Sequence, residues 1–274
     1  MIVWWILLIV PLPGLYDYCP KFRCWVKFSV YYVWLMLASL VMIPLSLARP
    51  GSVDNARIGA KLMKPMNSLL GISWSLRGNV ELLSLTQPYV IVANHQSSVD
   101  ILGMFHIWEM VGRMTVIAKQ SLMYYGTFGI TAYLCGTVFI DRTNIKEAAN
   151  KINSVAQTLI PGQVKLWVFP EGTRNSDKKV CLLPFKKGAF HVAHSCNLPI
   201  LPIGKNIRLS YLRKMLIQFE HLVINKHSFL DENTNMFETG EGVITVLPMI
   251  QPEGKSVQEL LENTRQVMMN QLLL

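Results

Sequence analysis

The chain has 274 residues, enough for one large domain plus an appendage, and it is both basic, with a formal net charge of +9, and apolar, with 51% hydrophobic residues. No nucleic-acid-binding motif accompanies the charge and the apolar content is high, so we expect no nucleic-acid partner and favour contact with a membrane or an anionic substrate. The 5 cysteines include no Cys-x-x-Cys pair, and the sequence indicates neither a disulfide framework nor a metal site.

The first predicted elements are two apolar helices separated by a basic turn. Residues 1–15 are apolar, residues 21–27 carry the basic turn, and residues 28–48 contain no charged side chain. As a helix, residues 28–48 would extend about 30 Å, the thickness of a bilayer core. We therefore predict a membrane-anchoring segment with its connector over residues 1–74, containing a hydrophobic helical hairpin that either spans twice or is embedded from one side. A cleaved signal peptide at the start is disfavoured by the missing basic n-region.

Residues 75–274 alternate short apolar strands with amphipathic stretches, which predicts an α/β domain with a mixed, largely buried sheet covered by helices. The predicted strands are apolar runs at 89–93, 114–118, 137–140, 164–169, 199–203, 215–219 and 243–247. The predicted helices are amphipathic stretches at 98–111, 144–160, 186–196 and 256–272.

A histidine and an aspartate follow the first of these strands. His95 and Asp100 are five residues apart, too far for neighbouring positions on one helix face. We therefore place His95 in the strand-to-helix turn and Asp100 in the first helical turn, pointing back. Such a pair can serve as a general base and its orienting carboxylate. Ser97 and Ser98 are interpreted as helix caps rather than nucleophiles.

Residues 121–140 carry no charge and would pass as a second membrane span. A single span there would place residues 94–100 and 169–174 on opposite sides of the bilayer, which is impossible if they form one site. We therefore predict a core helix, interrupted by glycines, that leads into the strand at 137–140. Residues 122–130 are expected to lie near the membrane surface.

A second polar group follows the strand at 164–169. It lies in the run Phe-Pro-Glu-Gly-Thr-Arg, which ends at Arg174. Gly172 permits close approach of the backbone to a ligand, and the guanidinium of Arg174 can hold an anionic oxygen group through two hydrogen bonds.

With both motifs placed, the chain resembles the 1-acylglycerol-3-phosphate acyltransferases, a family of glycerolipid acyltransferases. Four blocks occur in the family's order, at residues 94–100, 136–142, 169–174 and 198–203. The first block matches the catalytic His-x4-Asp pattern, and the arginines of the second and third blocks are associated in the family with the acceptor phosphate. The resemblance covers roughly residues 85–205.

The resemblance implies transfer of an acyl group from acyl-CoA to the sn-2 hydroxyl of lysophosphatidic acid, giving phosphatidic acid. His95 would be the general base and Asp100 its orienting carboxylate. Acyl-CoA would be a co-substrate, with no other cofactor and no metal, and membrane lipids would be partners in the endoplasmic reticulum membrane. The implied substrate-binding residues lie in the second and third blocks: Arg142, Glu171, Gly172, Thr173 and Arg174.

Two alternatives stay open. The same chemistry could serve another lysophospholipid or glycerol 3-phosphate as acceptor. An inactive membrane lipid-binding or scaffold protein belongs to a different class, and the intact His95 and Asp100 argue against it. A hydrolase is disfavoured because the sequence lacks a Gly-x-Ser-x-Gly elbow.

Overall fold

A mostly parallel β-sheet forms the centre of the molecule. The computed structural model describes residues 11–141, 143, 145–175, 181–209, 230–231 and 234–273. The strands of this part are β1 (Ile72–Gly78), β2 (Val90–Ala93), β3 (Met114–Lys119), β4 (Val138–Ile140), β5 (Lys165–Val168), β6 (Ile200–Leu209), β7 (Leu230–Asp231), β8 (Met236–Phe237) and β9 (Gly240–Val246). The main sheet has the order β1-β9-β6-β2-β5-β3-β4, and β7 pairs with β8 separately.

The main sheet is mixed, as the sequence predicts. β6 pairs with β9 in antiparallel orientation, and the other neighbouring strands described in this sheet pair in parallel. Every residue of β2 and β5 is buried. Parallel strands that are covered on both faces have continuous runs of apolar residues. These runs made the central strands predictable from the sequence.

Helices cover both faces of the sheet. They are α1 (Pro11–Tyr18), α2 (Pro20–Leu47), α3 (Asn55–Leu70), α4 (Asp100–Val111), α5 (Gly126–Leu134), α6 (Ile145–Gly162), α7 (Gly188–Ser195) and α8 (Val257–Leu273). One core packs α6, α7 and α8 against the sheet through Leu159, Phe190 and Leu260. The other core packs α3 and α4 through side chains that include Ala60 and Trp108. The predicted α/β fold class is confirmed.

The sequence missed α3 and β1, and one predicted strand cannot be compared. β1 is an edge strand in which only Ile72 is buried, so it lacks the continuous apolar run that marks the central strands. The strand predicted at 215–219 lies outside the described residues. The predicted boundary after residue 74 falls inside β1. The division into 1–74 and 75–274 stays a prediction.

α2 is the one helix in the described ranges that is long and apolar enough to cross a membrane. A stripe along it is buried, from Cys24 and Lys27 to Met42 and Ser46, and the helix packs against α3 and α5. The Lys27 ammonium donates to the carbonyl oxygen of Leu70 at 2.6 Å. The helix is therefore attached to the rest of the protein along most of its length.

The core helix predicted within residues 121–140 is present as α5 and leads into β4. It lies beside α2, where the Thr127 and Thr131 hydroxyls donate to the carbonyl oxygens of Met36 and Ser39 at 3.0 and 2.8 Å. Its outer side exposes apolar and aromatic side chains, including Ile130.

Candidate active site

The candidate site forms at one edge of the sheet, where parallel strands end together. The register pairs Val92 of β2 with Val168 of β5, and Ala93 of β2 with Ile203 of β6. Chain segments that leave neighbouring parallel strands emerge at the same edge, and this is where ligands bind in open α/β sheets. The first and third blocks therefore meet here, although they are far apart in sequence.

His95 and Asp100 form a hydrogen-bonded pair in the turn between β2 and α4. The Nδ1 atom of His95 lies 2.8 Å from Oδ2 of Asp100. The same oxygen accepts the backbone N–H groups of Gln96 at 2.7 Å and Ser97 at 3.2 Å. An ionised carboxylate only accepts, so Nδ1 of a neutral His95 donates and leaves Nε2 with its lone pair. Nε2 is thus the atom that can take a proton.

The serines of this turn do not cap α4, so that prediction is wrong. Within this fully described turn, α4 has Val99 at its N-cap and no side-chain cap hydrogen bond. The turn is instead organised by the Asp100 carboxylate, which draws the backbone N–H groups of two preceding residues toward itself. A carboxylate makes stronger hydrogen bonds to backbone donors than a neutral hydroxyl does.

The Asp100 carboxylate is ionised although it is fully buried. Burial raises its pKa, but the Lys205 ammonium at 3.2 Å and the contact with His95 outweigh burial, and the pKa falls from 3.8 to about 2. The Asp100 carboxylate of the His95–Asp100 pair is therefore negatively charged at neutral pH.

The third block holds the His95 backbone in place. Glu171, which is 3% exposed, accepts the His95 N–H at Oε1 over 2.7 Å and the Leu183 N–H at Oε2 over 2.9 Å. The Asn175 N–H donates to the His95 carbonyl oxygen at 2.8 Å. The rings of Phe169 and His95 stack with centroids 4.3 Å apart. The Glu171 carboxylate thus connects the turn that contains His95 to the segment that contains Leu183. The predicted contact of Glu171 with the substrate stays a prediction.

Burial raises the pKa of Glu171, and the backbone hydrogen bonds from His95 and Leu183 act against that rise.

The backbone conformation of Gly172 explains why the third block contains a glycine. Gly172 has φ +70°, and a Cβ there would lie 2.8 Å from Cε of Lys186. The left-handed conformation therefore favours glycine, and the flexible end of the Lys186 side chain would have to shift to admit a Cβ.

The remaining predicted residues divide into two groups. Thr173 and Arg174 are exposed and line the same cavity as His95. Arg142 lies outside the described residues. The preceding Asp141 accepts the Thr143 N–H and hydroxyl at 2.9 and 2.7 Å, which shapes the turn that follows β4.

The cavity has a volume of about 710 Å³ and combines polar and apolar walls. Its polar side chains include His95, Lys119 and Arg174, and its apolar walls come from α2, α3, α4 and α5, among them Met63 and Phe105. The volume is within the usual range for a ligand site. Such a cavity can take a ligand that has an anionic group and a long apolar chain. Across the described residues, no group of three His, Cys, Asp or Glu side chains is placed to hold a metal ion.

Known proteins share both the sequence and the fold. Residues 76–206 match the profile of the acyltransferase family. The human 1-acyl-sn-glycerol-3-phosphate acyltransferase alpha is 35% identical over 243 residues, which cover 89% of this chain and 78% of the human chain. The chain belongs to the 1-acyl-sn-glycerol-3-phosphate acyltransferase family.

Other members of this acyltransferase family agree. The Saccharomyces cerevisiae 1-acyl-sn-glycerol-3-phosphate acyltransferase is 32% identical over 215 residues, covering 76% of this chain and 62% of the yeast chain. The crystal structure of the 1-acyl-sn-glycerophosphate (LPA) acyltransferase PlsC from Thermotoga maritima has a TM-score of 0.65 at 19% identity, covering 92% of this chain and 97% of that one. At this identity, the similarity to the Thermotoga maritima structure shows a shared fold. The resemblance read from the four blocks is confirmed.

In this acyltransferase, sequence reasoning missed Lys205 and assigned no role to Asn94, the first residue of the first block. The Asn94 side chain donates to the Lys205 carbonyl oxygen at 2.9 Å and accepts the Lys205 N–H at 2.7 Å. Lys205 itself is fully buried beside Asp100. A signal was present, because Lys205 lies two residues after Ile203 and therefore faces the same side of the strand. A lysine in register with an apolar core position indicates a buried partner.

Proposed function

We propose that this protein transfers an acyl group from acyl-CoA to the sn-2 hydroxyl of lysophosphatidic acid and so forms phosphatidic acid. The observation that carries the proposal is the position of the His95–Asp100 pair on the wall of a cavity that also contains Arg174 and long apolar walls. The names of the relatives support lysophosphatidic acid as the acceptor. Acyl-CoA is proposed as co-substrate, with no further cofactor.

In the proposed reaction, the acceptor oxygen attacks the thioester carbonyl carbon while Nε2 of His95 takes the hydroxyl proton. Asp100 stabilises the resulting imidazolium through its hydrogen bond to Nδ1. The carbon–sulfur bond then breaks, and the proton passes from His95 to the CoA thiolate. The bond formed is the new ester, and His95 returns to its neutral form. No protein nucleophile is needed.

Arg174 is proposed to bind the acceptor phosphate, together with Arg142 and with Thr173 beside it. A guanidinium matches a phosphate through two parallel hydrogen bonds, so the bound phosphate would orient the neighbouring hydroxyl toward His95. Gly172 would let the backbone approach the same group, and Glu171 would keep this loop attached to His95.

The test is acyl transfer by the purified full chain in phosphatidylcholine vesicles with labelled oleoyl-CoA. Lysophosphatidic acid, lysophosphatidylcholine, glycerol 3-phosphate and monoacylglycerol are supplied in parallel. We expect product from lysophosphatidic acid and at most traces from monoacylglycerol, which lacks the phosphate. A preference for lysophosphatidylcholine or monoacylglycerol would overturn the phosphate assignment, and a preference for glycerol 3-phosphate would overturn lysophosphatidic acid as the acceptor. No transfer to any acceptor by folded protein would support the scaffold alternative.

The protein is membrane-associated, and we propose that the outer face of α2 makes the contact, in the endoplasmic reticulum membrane. This face exposes Val33, Leu37, Leu40 and Val41. The opposite stripe is buried against the protein over nearly the whole helix, an arrangement that suits embedding from one side.

Substituting Leu37→Arg and Val41→Arg together is expected to weaken binding to phosphatidylcholine vesicles about tenfold or more, because two apolar side chains would be replaced by charges. Flotation of protein with vesicles measures this. The pair Gln258→Arg and Gln266→Arg on the exposed side of α8 adds the same charge and serves as control. Equal flotation of both double variants would place the membrane contact elsewhere.

A further inference from the structure

Lys205 is a fully buried lysine on the inner side of the candidate site. Its Nζ atom lies 3.2 Å from Oδ2 of Asp100, the oxygen that also contacts His95. The two hydrogen bonds between Asn94 and the Lys205 backbone fix the distance between this lysine and the residue before His95. Its ammonium also lies over the Phe169 ring, 4.7 Å from the centroid. Lys205 thus contacts both Asp100 and Phe169, the two side chains that touch the His95 ring, and it is not among the residues that line the cavity.

Three titratable groups face this ammonium from different segments. Asp100 begins α4, Glu171 follows β5, and His95 follows β2. Burial lowers the pKa of Lys205, while the two carboxylates act to raise it. At 3.2 Å from Oδ2, the Lys205 ammonium is the positive charge that compensates the buried Asp100 carboxylate. A buried carboxylate without such a partner tends to take up a proton.

The positive charge of Lys205 also affects the protonation state of the His95–Asp100 pair. His95 acts as a base only when the His95–Asp100 pair holds no extra proton. Adding a proton adds positive charge next to Lys205, and like charges at this range repel. The ammonium therefore opposes protonation of the pair, and removing it would make protonation easier. The acidic limb of the pH–activity profile would then move to higher pH.

We infer that Lys205 is a positioning residue for the proposed reaction, whose buried charge keeps Asp100 ionised and the His95–Asp100 pair ready to accept the substrate proton. This inference rests on the proposed function, since it assigns a role in the same base. Lys205 is not among the residues that line the cavity, so we expect its effect to be on the pH range of the reaction and not on binding.

The test compares the full-length wild type with Lys205→Met and Lys205→Arg over about pH 5 to pH 9. For Lys205→Met, we expect the acidic limb of kcat/KM to move up by about one pH unit, with both KM values unchanged on the alkaline side. Lys205→Arg keeps the charge and should keep the wild-type limb. A lower kcat at every pH with an unmoved limb would show a merely structural role and overturn the inference.

A second readout does not depend on activity. ¹⁵N-histidine NMR can follow protonation of the His95 ring, and the midpoint should move to higher pH in Lys205→Met. Wild-type protein without transferase activity would refute the proposed function, while the NMR titration would still decide the role of Lys205. If Lys205→Met does not fold, Lys205→Gln takes its place. If both neutral variants unfold while Lys205→Arg folds, the charge serves folding and the inference fails.

Discussion

Replacing His95 with glutamine is expected to lower kcat for acyl transfer by about 10² to 10⁴, the range that a general base contributes. Glutamine retains the backbone N–H and C=O that bond to Glu171 and Asn175, so the turn should keep its shape. It lacks a side-chain atom that can take a proton at neutral pH. KM values should change little, because the proposed phosphate contacts remain.

Initial rates of phosphatidic acid formation, with circular dichroism to check folding, measure this effect. His106→Gln is a matched control, since His106 lies on α4 and does not line the cavity. We expect His106→Gln to stay within about twofold of wild type, because this half-buried side chain does not line the cavity. A folded His95→Gln protein with wild-type kcat would exclude His95 as the base.

Replacing Asp100 with asparagine is expected to lower kcat by a factor approaching 10⁴, the loss seen when the same change is made in a serine protease triad. The asparagine amide can donate to Nδ1, which would place the hydrogen of the neutral ring on Nε2. His95 would then have no lone pair facing the acceptor hydroxyl. The change also leaves the buried Lys205 ammonium without its carboxylate, so the free energy of unfolding should fall by about 3–5 kcal/mol.

The two effects of Asp100→Asn are separated by measuring kcat per folded molecule at a temperature below the lowered Tm. Glu109→Gln on the same helix is the control, because Glu109 forms exposed ion pairs with Lys61 and Lys64 and such pairs contribute little. In wild type, the folded-state pKa of Asp100 lies below its ordinary value, so its contribution to stability is complete above about pH 4 and disappears as pH falls toward 2. Asp100→Asn should lack this acid-dependent part. A stable, fully active variant would contradict the assigned role.

The sequence was sufficient for features that depend on local pattern. The buried runs of β2 and β5 located the central strands, and the five-residue spacing of His95 and Asp100 located the turn in which the two side chains meet. The sequence was not sufficient to predict elements whose formation depends on tertiary contacts. β1 is recognisable only from its pairing with β9.

The same limit applies to the charged residues of the site. The placement of Glu171 under the His95 backbone depends on the approach of two loops distant in sequence. The burial of Lys205 depends on Asp100, more than a hundred residues earlier in the chain. Hydrophobic periodicity can mark Lys205 as facing the core but does not identify its partner, because it reports on one element at a time.

The helix that is proposed to touch lipid also encloses the substrate space. Leu35 and Met42 of α2 line the cavity, and the Tyr31 hydroxyl donates to the Ser98 carbonyl oxygen at 3.4 Å, in the turn between β2 and α4. A chain shortened to residues 75–274 would therefore lose the cavity walls that α2 and α3 form and part of an edge strand. If α2 attaches the protein to the bilayer as proposed, the same helix also encloses the cavity, so removing α2 to gain solubility would open the cavity to water.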